Sequence, residues 1–392
     1  MIYVHIPFCR SFCTYCDFYS EVAAKCRKRE DARHQEELFG RFAHAVSDEV
    51  RMRGHEITDD VNTLYIGGGT PSVLPLSAFR TIIGSLAESG HGGPYDEFTV
   101  EVNPEDIVEK GEEYVSGLLE LGVNRISMGV QSFDDGILRF MNRRHDAATA
   151  RRAYAVLEKA GVRNISIDLI FGLPQLSDIQ WSETLEKALD ISSRGIRPQH
   201  ISSYQLSVEP GSMLARMVER GKWSEASDEL CERQYAMLCE TLRQAGYSHY
   251  EISNFAMPGY EAVHNSAYWD HVPYVGLGPG AHSFLKASVA GTHPTTDAFR
   301  QWNRPDLQAY INDPLSVQEH ETLDEEQLVL ERIMLSLRTS SGIPESYLRE
   351  HCDLPALDRA FAAGDLILTP YGNARIPESH FFISDSIISY IV

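Results

Sequence analysis

The sequence predicts an α/β fold: a partial (β/α)6 barrel followed by a smaller, mainly helical C-terminal domain of winged-helix character. Three observations carry this. Short apolar strands alternate with helix-period segments through the first two-thirds of the 392 residues. Strand spacing of about 30 to 60 residues is too irregular for a solenoid but suits successive βα units. From about residue 290 the alternation gives way to helices and one hairpin.

Strands are expected at residues 2–6, 62–66, 98–102, 125–130, 164–170 and 200–206. They read as nearly continuous apolar runs, the pattern of a parallel sheet covered by helices. Between them, apolar stripes recur at helical spacing: Leu38, Phe42, Ala45 and Val46; Tyr114, Leu118 and Leu121; Trp181, Leu185, Ala188 and Leu189. Gly122, Gly161 and Gly246 fall where helix C-caps belong. In the C-terminal part, Thr322 with Glu325 reads as a capping box opening a helix through Leu328, Ile333 and Leu337. Two shorter helices follow near residues 344–351 and 354–362, the second stopped by Gly364, and then a hairpin over residues 366–377. The expected division is a core at 1–240, a connecting segment at 241–300 and the helical domain at 301–392. The functional site of such a barrel is expected at the C-terminal strand ends.

Composition narrows the partners. A net charge of −21 argues against nucleic acid, which needs clustered Lys and Arg, and against electrostatic attachment to anionic lipid. No apolar run approaches the length that spans a bilayer, and no signal peptide precedes the first motif. Cys26, Cys231, Cys239 and Cys352 are scattered rather than framed as disulfide pairs. A reducing, cytoplasmic setting is expected.

The most specific signal follows the first strand. Cys9, Cys13 and Cys16 form a C-x3-C-x2-C loop. Iron–sulfur clusters are usually held by four thiolates; three thiolates on a cubane leave one iron open for a substrate. A structural zinc site is the alternative. It needs a closed tetrahedral shell, and His5 would have to leave strand geometry to complete one.

Polar residues mark the ends of the next strands. Gly67-Gly68-Gly69-Thr70-Pro71 follows the second strand, and consecutive glycines let a backbone approach a ligand closely. The third strand ends in Glu101-Val102-Asn103-Pro104. The fourth ends in Gly129-Val130-Gln131, with Arg143 twelve residues beyond Gln131. The fifth carries Asp168 in an otherwise apolar run, where an unpaired charge is costly and calls for a partner or ligand.

Together these residues resemble the radical S-adenosylmethionine family of anaerobic coproporphyrinogen oxidases and their relatives. The resemblance runs from Tyr3 through Pro174 and continues through Tyr250-Glu251-Ile252-Ser253-Asn254-Phe255 and the late helix. It implies a radical S-adenosylmethionine barrel in which Cys9, Cys13 and Cys16 hold a 4Fe-4S cluster. The open iron chelates the methionyl group of S-adenosylmethionine, and one electron, from an external donor, breaks its sulfonium bond. By the same resemblance Tyr3, Tyr15, Gly68, Gly69, Thr70, Glu101, Gln131, Arg143 and Asp168 bind the cofactor. Their chemistry suits the assignment: Arg143 for the methionyl carboxylate, Gln131 and Asp168 for ribose hydroxyls, Glu101 for the ammonium or ribose, and Tyr15 for adenine.

Within the family, two departures set the chain apart from the oxidases. They carry a further Cys two residues after the third, where this sequence has Phe18, and they have an extension before the cluster motif, which here starts almost at Met1. The segment His264-Asn265-Ser266-Ala267-Tyr268-Trp269 instead resembles the haem-chaperone branch. That likeness implies haem as cargo, haem-accepting proteins as partners, His264 as an axial nitrogen donor, and Tyr268 and Trp269 against the porphyrin. The stretch from Gly276 to Gly280 reads as a tight chain reversal. The alternatives are an oxygen-independent coproporphyrinogen III oxidase and a radical enzyme on another substrate.

Overall fold

The structure is a computed structural model describing residues 1–22, 29–58, 60–286 and 298–392, with side chains of the first helix from residue 33. Cys26, expected to take no part in the cluster, lies outside the described residues.

Six parallel strands form the barrel: β1 (Ile2–Ile6), β2 (Thr63–Gly68), β3 (Glu97–Val102), β4 (Arg125–Gln131), β5 (Ile165–Phe171) and β6 (His200–Gln205). They lie side by side in chain order, every neighbouring pair parallel. The α/β partial barrel expected from the sequence is therefore present, each strand within two residues of its expected bounds. Both sheet edges are extended by the segment after residue 240. Val275–Leu277 pairs in parallel with β1, and the hairpin of Ser248–Glu251 and Asn254–Ala256 adds antiparallel to β6, making nine strands.

The strands are not continuous apolar runs; they alternate, and the alternation builds the site. In β2 to β5 one face presents Leu64, Ile66, Phe98, Val100, Ile126, Met128, Ile165, Ile167 and Leu169, all in the buried apolar core. Fully burying such a side chain contributes about 1.5–3 kcal/mol. The other face carries Tyr65, Glu101, Arg125, Ser127 and Asp168, which line an internal cavity. A period of two sends successive side chains to opposite faces, so the helices take the apolar face and the lumen receives the polar one.

The helical stripes lie where expected: Phe42, Ala45 and Val46, Tyr114 and Leu118, and Trp181, Leu185 and Ala188 are buried. Gly161 ends its helix in the left-handed conformation. After Leu277 the chain doubles back, with Ala281 N–H donating to Gly278 O at 3.1 Å, the reversal expected there. A buried polar knot ties this turn to the first helix. Glu49 accepts from Gly278 N–H (2.9 Å), Asn303 Nδ2 (2.8 Å) and Tyr310 O–H (2.6 Å), and pairs with Arg53 at 2.8 Å. Every charge in it is partnered, as burial requires.

The C-terminal part is mainly helical, with one correction. The helix Glu325–Ser336 is opened by Asp324 and Gln327 in a reciprocal capping box, not by Thr322 and Glu325. Thr322 lies in the strand Gln318–Leu323, opposite Phe299. That strand belongs to a three-stranded antiparallel sheet with His282–Lys286 and Ala298–Asn303, which the sequence reading did not anticipate. The helices Glu345–His351 and Leu354–Ala363 and the pairing of Ile367–Leu368 with Asn373–Arg375 match expectation. Ile343–Pro344 adds a third strand to that small sheet. Among the described residues no helix is long and apolar enough to cross a membrane.

Candidate cluster and cofactor cavity

A cavity of about 530 Å³ opens at the C-terminal ends of the barrel strands, where parallel barrels place their sites. Cys9, Cys13 and Cys16 line it together with Tyr15, Gly68, Gly69, Thr70, Glu101, Gln131, Arg143 and Asp168. Residues spread over 160 positions of sequence are thus gathered at one mouth. Tyr3 is the exception among the expected cofactor residues. It stands behind the wall, with its hydroxyl 3.0 Å from His5 Nδ1 and its ring 6.1 Å from that of Tyr65.

Local chemistry explains the placement. Phe8–Cys9 pairs with Glu21–Val22, closing the cysteine loop into an arch. Gly69 N–H donates to Ile6 O at 2.8 Å, and a Cβ on Gly69 would come within 2.7 Å of Phe8 O and 2.9 Å of Ile6 O. The glycine run therefore lets the second strand end pack directly beneath the arch. Pro104 opens the next helix at its first turn and holds Asn103 extended (φ −100°, ψ 143°), as a residue before proline prefers. Gln131 closes β4 at φ 65°, with a register shift between Gly129 and Gln131. Left-handed backbone at a non-glycine residue is a local strain of the kind that clusters at functional sites.

One hydrogen-bonded chain spans two of the thiols. Cys9 Sγ lies 3.4 Å from Thr70 Oγ1, which accepts from Asn103 Nδ2 at 3.1 Å. Asn103 Oδ1 accepts from Arg143 at 2.6 Å, and Arg143 donates to Cys13 Sγ at 3.4 Å. Arg143 Nε is buried without a hydrogen-bond partner among the described residues. A guanidinium lining the cavity fits a carboxylate ligand.

The lumen below carries two carboxyls. Tyr65 O–H and Gly68 N–H donate to Glu101 at 2.6 and 3.1 Å. Withdrawal from water nevertheless pushes Glu101 up to about 7, the Asp168 carboxyl adding to the push. Burial likewise raises Asp168, against a hydrogen bond from Ser127 Oγ at 3.1 Å. Two carboxyls raised by burial, beside hydroxyls, suit a ligand that brings an ammonium and a diol.

The thiols fit a cluster. Among the described residues no three His, Cys, Asp or Glu side chains gather at a point suited to a single ion, whereas a cubane takes each thiolate on a separate iron. His5, the histidine a zinc site would have needed, is already engaged: its Nε2 lies 2.8 Å from Tyr19 O and its Nδ1 3.0 Å from Tyr3. Burial raises the Cys9 and Cys16 thiols, Cys16 to about 12, so their ionisation depends on metal coordination.

The His264 segment forms the short helix Val263–Trp269. His264 is buried, with Nδ1 2.8 Å from Thr63 Oγ1 and Nε2 3.0 Å from Tyr268 O–H. Its ring lies 5.1 Å from that of Tyr65, and Glu97 accepts from the backbone N–H groups of Val263 and His264 at 2.8 and 3.2 Å. Both imidazole nitrogens are thus spent on struts within the barrel. Trp269 lines a different, larger cavity. The sequence reading missed Tyr65, Asn103, Arg125, Ser127 and Ser202 as site residues; strand alternation was the signal for all but Asn103.

Comparison with known proteins agrees with this geometry. A profile of the radical SAM superfamily matches residues 3–188. "Heme chaperone HemW" of Synechocystis sp. is 33% identical over 374 residues, covering 95% of this chain and 85% of that protein. The Bacillus subtilis protein of the same name is 30% identical, covering 89% and 86%. Zebrafish "Radical S-adenosyl methionine domain-containing protein 1, mitochondrial" is 30% identical, covering 88% and 74%. Among solved structures, coproporphyrinogen III oxidase (HemN) from Escherichia coli superposes with a TM-score of 0.76 at 21% identity, over 99% of this chain and 88% of that one, which speaks for the shared fold. The arch of three cysteines over a polar lumen and the full-length kinship place the chain in one family: it belongs to the radical S-adenosylmethionine superfamily, in the group of proteins named heme chaperone HemW.

Proposed function

We propose that this chain is a haem chaperone, taking up haem and passing it to acceptor haemoproteins, built on a radical S-adenosylmethionine scaffold whose cofactor cavity is intact. The observation that supports the reading is similarity over nearly the whole chain to proteins named for that role. In the cavity, Cys9, Cys13 and Cys16 would hold a 4Fe-4S cluster. Arg143 would meet the methionyl carboxylate, Glu101 the ammonium, Gln131 and Asp168 the ribose hydroxyls, and Tyr15 the adenine. Gly68, Gly69 and Thr70 would border the methionyl group, and Tyr3 would support the wall through His5 and Tyr65. When bound, cluster and cofactor supply one-electron cleavage of a sulfonium bond; an electron donor and a reducing cytoplasmic setting go with this reading.

One departure from the oxidase pattern speaks against the oxidase alternative. Phe18, 63% exposed at the cavity rim, stands where the oxidases carry a further cysteine. The test is an anaerobic incubation of the reconstituted protein with S-adenosylmethionine, reductant and coproporphyrinogen, alongside a haemin titration. A Soret band without vinyl product is expected. Substantial decarboxylation would return the chain to the oxidases.

A further inference from the structure

The larger cavity, about 1260 Å³, lies between the hairpin at the β6 edge, the helix Asp228–Gln244, the end of the helix Val263–Trp269 and the C-terminal domain. It shares that short helix with the cofactor cavity: Asn265 lines the cofactor side, while Ser266, Trp269 and Asp270 line this one. We propose that this cavity is the seat of the haem cargo, with Trp269 as a wall and His380 Nε2 as the axial nitrogen. The assignment rests on the haem-chaperone reading above and deepens it by naming the site.

Size and chemistry both favour this cavity. The cofactor cavity, at about 530 Å³, is already assigned to a cluster and a nucleoside. The larger one, at about 1260 Å³, has room for a macrocycle. Tyr235, Phe255, Trp269, Phe382 and Ile383 give it apolar walls, and aromatic faces suit a flat porphyrin.

The choice of ligand follows by inspection of its neighbours. His264 has no free ring nitrogen. His249 reaches the cavity but is stacked on Phe255 at 4.1 Å and edged by Phe381 at 5.0 Å. Its Nδ1 lies 3.9 Å from Cys239 Sγ and its Nε2 3.4 Å from Tyr235 O–H. Cys239 Sγ is turned toward His249 Nδ1, 3.9 Å away. His380 is different. Its side chain is 34% exposed, and Nδ1 lies 3.2 Å from Asp365 Oδ1. Among the described residues nothing hydrogen-bonds its Nε2. The Asp365 carboxylate stands within ion-pair distance of Nδ1 without hydrogen-bond geometry, and a small turn of the ring would let it orient the imidazole for a metal on the open nitrogen.

The cavity mouth is acidic, which bears on release. Glu240 is paired with Arg243 at 2.7 Å and Glu378 with Arg375 at 3.5 Å. Glu232, Glu261 and Asp270 remain and oppose the two propionates. That repulsion shortens residence, as suits a cargo that is handed on.

The test titrates haemin into the full-length, cluster-loaded protein and into His380→Ala and Asp365→Asn, reading the Soret band, the ligation signature by resonance Raman, and tryptophan quenching. Retained cluster absorbance checks that each variant is folded. Wild type should show an imidazole-ligated haem that quenches Trp269. His380→Ala should lose that signature and regain it with added imidazole, and Asp365→Asn should bind about tenfold more weakly. Wild-type spectrum and affinity in His380→Ala would overturn the seat while leaving the chaperone reading in place. Failure of the wild type itself to bind haem would overturn the chaperone reading, and the seat with it.

Discussion

Replacing Glu101 by Gln removes a charge from the lumen while keeping the side chain's shape, and its effect on stability has a definite sign. An ordinary Glu titrates near 4.5, and burial raises Glu101 to about 7. Below the lower value folded and unfolded chains both carry the proton, and the group costs nothing. Between the two values the unfolded chain releases its proton while the folded one keeps it, so stability falls as pH rises. Above about 7 the cost is complete. At about 1.4 kcal/mol per pH unit this amounts to about 3 kcal/mol, trimmed to about 2–3 because the cavity-facing edge of the carboxyl stays wet. Glu101→Gln should escape that loss. Denaturant unfolding of both proteins at about pH 5 and about pH 8 measures it, and taking the difference between the two pH dependences cancels the titrating groups that do not couple to Glu101, leaving Asp168 as the one lumen carboxyl whose response changes with it. The wild type should lose about 2–3 kcal/mol more than the variant across that interval. Cofactor binding should move the opposite way: S-adenosylmethionine should bind wild type more tightly as pH rises through about 7, and bind Glu101→Gln weakly at every pH. Matching pH dependence of stability within about 0.5 kcal/mol would refute the reasoning, since the raised carboxyl would then have no energetic consequence.

Two further outcomes follow from the site. Alanine at Cys9, Cys13 or Cys16 should abolish the 4Fe-4S absorbance of the anaerobically reconstituted protein, whereas Cys352→Ala should preserve it; a cluster that survives loss of Cys13 would show the ligand set to be wrong. His264→Ala should lower stability by about 2–4 kcal/mol, because it strands two buried hydroxyls and opens a void, while the Soret position on haem binding stays that of wild type; an unchanged unfolding midpoint would contradict the strut role.

The barrel was legible because each strand is a local signal bounded by glycine, proline or a polar turn, and the cysteine loop because its spacing has few other uses. The lumen was misread for a specific reason. Sequences such as Thr63-Leu64-Tyr65-Ile66 and Arg125-Ile126-Ser127-Met128 were weighed by overall apolarity, though their period of two already separated a covered face from a polar one. In a parallel barrel the second face ordinarily fills with apolar side chains; polar residues there signal a lumen that holds a ligand. Asn103 was harder to find, since its role comes from Thr70 and Arg143, 33 and 40 positions away. Thr322 shows the opposite failure: the residue type fitted a cap, but strand pairing with Phe299 outweighed it, and Asp324 took the position. The His264 segment could be singled out from sequence, but its side chains could not be assigned to faces, because a helix of seven residues divides itself between a barrel interior and two cavities only once the fold is known.

That division gives the short helix its importance. From the cofactor cavity, Glu101 accepts from Tyr65 O–H at 2.6 Å, the Tyr65 ring meets His264 at 5.1 Å, and His264 Nε2 meets Tyr268 O–H at 3.0 Å. Trp269, the next residue, lines the larger cavity. The hydrogen-bonded links are part-buried, and the first includes a carboxyl raised to about 7. Contiguity by itself does not establish coupling. It does fix what coupling must look like: if S-adenosylmethionine at Glu101 changes haem affinity by some factor, haem must change S-adenosylmethionine affinity by the same factor. A chain that keeps a complete cofactor cavity beside a separate cargo seat has, in this helix, a physical reason to keep both, because it is the one element whose residues line both cavities among those described.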